Sequence, residues 1–229
     1  MVVSWTEYGP SMSLLEYLLI SLPPIPLQRV VRSRNTTNDH YFHRDITEIM
    51  HWPDFNYNSI IQEFGPVLNT VRMNPDPFMS PPAAIRDEPL FQNRWAGVAG
   101  QLTPIQYDGG SRGALVDNFR PDTAFVVVGG DYATSPNRGR STVPADMIEY
   151  KQVLSQLNWY IRQHKARYGH ILTNTEFVAV KRVEETNGRL ALASPIPWSA
   201  GGHGQLSVLL GIWYLAMLTT RNDWSLEVR

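Results

Sequence analysis

Asp122, Glu149 and Lys151 are the residues whose types and spacing promise chemistry. Arg120-Pro121-Asp122 opens an apolar β-rich run, Thr123–Val128, and Glu149-Tyr150-Lys151-Gln152 follows 27 residues beyond Asp122. Alternation over Met147–Lys151 predicts a strand with Met147, Glu149 and Lys151 on one face and Ile148 and Tyr150 on the other. Two charged groups on one face of an otherwise apolar strand are costly without a purpose. If the two strands are neighbours, Asp122 sits beside Glu149 and Lys151. A carboxylate pair of that kind holds a divalent cation through oxygens, or grips a cationic ligand. The lysine then polarises a phosphate or ester oxygen, or activates a nucleophile. The plain structural alternative is an ion pair on an edge strand. Pro-Asp is a weak signal, because Pro53-Asp54 and Pro75-Asp76 also occur, whereas Glu-x-Lys occurs once.

The elements that must position these residues read unevenly. Residues 1–110 are rich in Pro, Asn and Arg, with turns at Pro23–Pro26, Pro75–Pro82 and Tyr107–Gly113. Within them, Asn58–Arg72 has helical apolar spacing, and Gly65-Pro66 predicts a kink or restart. Residues 111–229 read as the α/β core. Ala114–Phe119 and Thr123–Val128 are strand candidates, and Gly129–Pro144 is a loop. Val153–Tyr168 is an amphipathic helix capped by Gly169; His170–Leu172, Glu176–Val183 and Arg189–Ala193 are strands, the last two joined by an Asn187-Gly188 turn. Gln205–Thr220 is the final helix. This order predicts a single α/β domain over 1–229: a central mixed β-sheet flanked by helices, with a loop-rich N-terminal extension.

Composition bounds the function. The chain has 229 residues and 26.0 kDa, 43% hydrophobic and 18% charged, with a net charge of −1. A buried core is expected, and a strongly basic DNA-coating protein is excluded. With no cysteine, there is no disulfide scaffold, cysteine zinc site or thiol nucleophile. The apolar runs Leu14–Leu22 and Leu206–Leu218 fall short of the ~18 residues of a membrane span, so no membrane partner is expected. The expected home is cytoplasmic, with the nucleus open. No obligate protein partner is inferred.

Strand, loop, a strand ending in Glu149-x-Lys151-Gln152 and then an amphipathic helix together resemble the PD-(D/E)XK phosphodiesterase superfamily, over about residues 114–183. The resemblance implies a restriction-endonuclease-like core. Asp122 and Glu149 would be its acidic pair, Lys151 its catalytic lysine and Gln152 the glutamine that often follows. Glu63, on the Asn58–Arg72 helix, would be the further acid carried by a preceding helix. The runs Gln156–Tyr160, Ala166–Thr173, Ser194–Trp198 and Leu209–Leu218 are similar in texture to stand-alone fungal members, among them the arginine-containing cyclodipeptide synthases. These imply a transferase that joins arginine from Arg-tRNA to a second aminoacyl group as a diketopiperazine. Its partner is aminoacyl-tRNA, and no cofactor is required. Glu63, Arg138, Arg140 and Gln156 are then the substrate-binding candidates. Two alternatives stay open: a nuclease with Mg²⁺ held by Asp122 and Glu149, and a non-catalytic nucleic-acid-binding module of the same fold.

Other features carry less. Arg29, Arg32 and Arg34, the loop pair Arg138 and Arg140, and Arg162, Lys165 and Arg167 suit a nucleic-acid backbone or plain solvation equally. Asp39, His40, His43 and His51 fit no zinc spacing and read as loop histidines. The tryptophans read mainly as core or groove residues, with base stacking the lesser reading. Gly201-Gly202-His203-Gly204 lacks the Lys-Ser/Thr of a phosphate loop and reads as a hinge before the last helix.

Overall fold

Apolar spacing builds this molecule in layers around one mixed sheet. The computed structural model describes residues 11–22, 39–73, 144–173, 175–184, 188–221 and 226. In chain order the elements are β1 (Met12–Ser13), α1 (Leu14–Leu18), a 3₁₀ turn (His43–Asp45), β2 (Glu48–His51), α2 (Tyr57–Thr70) and β3 (Arg72–Met73). They continue with α3 (Pro144–Gln163), β4 (Tyr168–Leu172), β5 (Glu176–Arg182), β6 (Arg189–Leu192), β7 (Ile196–Pro197) and α4 (Val208–Thr219). The main sheet runs β2-β6-β5-β4, with β7 also paired to β5. β2 and β6 are parallel and the other pairs antiparallel, so the mixed sheet expected from the element order is present. β1 and β3 form a separate two-stranded antiparallel ribbon.

Period-2 alternation along β5 sorts the core into two halves. Phe177 and Ala179 face a cluster that includes Leu18 of α1, Ile60 and Leu68 of α2 and Leu210 of α4. Val178 and Val180 face the opposite cluster, with Tyr150, Val153, Leu154, Leu157 and Ile161 of α3. The sheet is thus sandwiched between α3 on one side and α1, α2 and α4 on the other. The near-uniform apolarity of α4 suits its burial, and its N-cap Ser207 accepts from the Leu210 N–H at 3.1 Å while donating to the Leu18 carbonyl. α2 runs through Pro66 without ending, although that residue has no N–H to give the helix. Asn56 caps it by accepting from the Ser59 N–H at 3.0 Å.

Three local expectations are corrected. Met147–Lys151 is not a strand: helix α3 begins at Pro144 and runs through it. The buried stripe of α3 extends back from Ile161 through Leu157, Leu154 and Val153 to Tyr150 at helical spacing. A five-residue alternation is too short to outweigh that stripe, and Pro144 suits a first helical position. The helix also ends earlier than expected, at Gln163. Lys165 takes a left-handed φ of 50°, its N–H donates to the Arg162 carbonyl at 2.9 Å, and the Ala166 N–H donates to the Ile161 carbonyl at 3.0 Å. That pair of hydrogen bonds is a Schellman closure built on lysine. Gly169 lies instead in β4, where a Cβ would come within 2.5 Å of Ile161 Cδ1; it is glycine because α3 lies so close above. The expected strands Ala114–Phe119 and Thr123–Val128 and the loop Gly129–Pro144 lie, but for Pro144, outside the described residues.

Candidate functional site

Helix α3 carries four of the eight candidate site residues, and its geometry rearranges them. Successive helical residues turn by about 100°, so Glu149 and Lys151 project about 200° apart and not along one face. Glu149 is exposed near the start of the helix. Lys151 is half-buried on the other side, and its ammonium donates to the Ile46 carbonyl at 3.1 Å. Gln152 Nε2 donates to the Tyr41 carbonyl at 3.4 Å, and Gln156 Nε2 to the Tyr160 hydroxyl at 3.3 Å. The side-by-side Glu149–Lys151 arrangement expected of a strand is therefore corrected: the helical twist separates the two groups.

Lys151 and Gln152 hold a strap, Asp39–Ile46, across the helix. The strap ends in the buried Ile46, which belongs to the same core cluster as Leu154 and Leu190. Between its ends, His40 stacks on Trp159 with ring centroids 5.5 Å apart and planes 10° from parallel. Asp45 turns its carboxylate back to accept the Phe42 N–H at 2.6 Å. The Arg44 guanidinium lies 5.6 Å from the Phe42 ring centroid. Ile148, Lys151, Gln152, Ser155 and Trp159 fall at i, i+3, i+4, i+7 and i+11, one stripe of α3. That face escaped the sequence reading. The spacing was visible, but nothing in the sequence said that a loop residue 119 positions before Trp159 would stack on it.

The other candidates are dispersed. Glu63 sits on α2, across the sheet from α3, and pairs with Arg221 beyond the end of α4. It does not join Glu149, because α2 packs its apolar face into the opposite half of the core. Asp122, Arg138 and Arg140 lie outside the described residues. Asp39, His40, His43 and His51 form no metal-binding group with neighbouring acids or histidines among the described residues. Gly202 and Gly204 have positive φ, 85° and 83°, as a tight glycine connection requires.

Burial displaces Tyr150 and His170, as it does Tyr214. Tyr150, on the core side of α3, is pushed up to about 12 by desolvation and then by the nearby Glu176 carboxylate, so it stays a neutral phenol. His170, whose Nε2 is shielded from solvent in β4, is pushed down to about 4 by desolvation. It stacks against Phe177 with centroids 5.6 Å apart.

A separate cleft of about 420 Å³ opens where the parallel strands β2 and β6 end, lined by His51, Phe55, Asn56, Ser194, Ile196 and Leu206 among others. Ends of parallel strands are where open α/β sheets commonly admit ligands. No helix among the described residues is long and apolar enough to cross a membrane. No family model, curated protein or solved structure matches the chain.

Proposed function

We propose that this protein is a tRNA-dependent transferase that joins arginine from Arg-tRNA to a second aminoacyl group as a diketopiperazine. The observation that supports the reading is Glu149-x-Lys151-Gln152 on α3: an exposed carboxylate beside a polar edge of the helix, with the lysine and glutamine bracing the neighbouring strap. An exposed carboxylate is a partner for a guanidinium or an α-ammonium through charge-assisted hydrogen bonds. Asp122 is the second carboxylate of the proposal.

The chemistry balances without a further reactant. The α-amine of one aminoacyl group attacks the ester carbonyl of the other, a C–N bond forms, and the C–O bond to the ribose breaks. The proton lost by the amine ends on the ribose oxygen. A second, intramolecular attack by the remaining amine on the remaining ester closes the ring and frees the second tRNA. Ester aminolysis is downhill, so positioning the two esters supplies much of the rate. A lysine ammonium has donors and no acceptor, and Lys151 already spends one donor on Ile46. The base is therefore a carboxylate, and Lys151 is a positioning residue.

The test is expression of the chain in a host, followed by mass spectrometry of the medium for arginine diketopiperazines, with Glu149→Gln as the control. Purified protein should release the product from charged tRNA in EDTA, and RNase should abolish it. Product that needs ATP but no tRNA would contradict the proposal. So would EDTA-sensitive strand cleavage without product, which is nuclease behaviour.

A further inference from the structure

We draw no further inference here: the strongest candidate, the cleft of about 420 Å³ where the parallel strands β2 and β6 end, is walled by uncharged side chains and the exposed His51 imidazole, none of them a buried polar group left without a partner, so nothing in the structure selects a ligand for it.

Discussion

Replacing Lys151 by Met separates a structural anchor from a reacting group. Methionine retains an unbranched stem of similar reach, so most packing beside α3 survives, and the ammonium alone is lost. That ammonium donates to the Ile46 carbonyl at 3.1 Å, and Ile46 itself is only 1% exposed. A hydrogen bond from a charged donor is worth about 1.5–3 kcal/mol net. Lys151 is only half-buried, so the lower end applies. The expected loss is about 1–2 kcal/mol, which in a chain of this size lowers Tm by roughly 2–8 °C. Urea unfolding followed by circular dichroism measures it, and Lys151→Arg, which retains a charged donor, should recover most of it. Hydrogen exchange adds a local readout: amides of Tyr41–Ile46 should exchange faster in the Met variant, while those of α4, across the sheet, should not. A Lys151→Met protein within 0.5 kcal/mol of the parent and with unchanged strap exchange would refute the anchor. It would also reopen Lys151 as a group free to react.

Three further outcomes are expected. His170 is held near 4 when folded and titrates near 6.5 when unfolded, so the unfolded chain takes up the proton first as pH falls. Its contribution is fully present above pH 6.5 and is lost between pH 6.5 and 4, amounting to about 2 kcal/mol by pH 5; His170→Gln should flatten this part of a stability–pH profile, and an unchanged slope would count against a desolvated imidazole. Gly188→Ala should destabilise by several kcal/mol in urea unfolding, because a Cβ there would sit 1.6 Å from the Asp45 carbonyl oxygen and backbone must move; a loss under 1 kcal/mol would show that the strap does not lie where it is described. Glu149→Gln should abolish diketopiperazine with stability within about 0.5 kcal/mol of the parent, since the side chain is exposed, whereas Glu63→Gln should leave product formation unchanged, because Glu63 lies across the sheet and pairs with Arg221.

The sequence by itself determined the elements whose pattern is long or unambiguous. The stripe from Val153 to Ile161 follows the helical period, while β5 and α4 are continuous apolar runs told apart by length and flanking residues, and all three elements were found as expected. A mixed sheet is present as expected, but its parallel pair is made by β2, Glu48–His51, which carries no strand pattern of its own; only tertiary packing lays it beside β6. Met147–Lys151 shows where local reading stops: five residues fit both periods, and the packing of Tyr150 against Val178 and Leu190 settles it as helix. That single change of period rotates Glu149 away from Lys151 and remakes the candidate site. Only tertiary structure could bring Ile46 to Lys151 and His40 to Trp159, because contacts spanning more than a hundred residues leave no periodic trace in either segment. Only tertiary structure could place Glu63 behind the sheet, since the sequence shows that α2 has an apolar face but not which side of the sheet receives it.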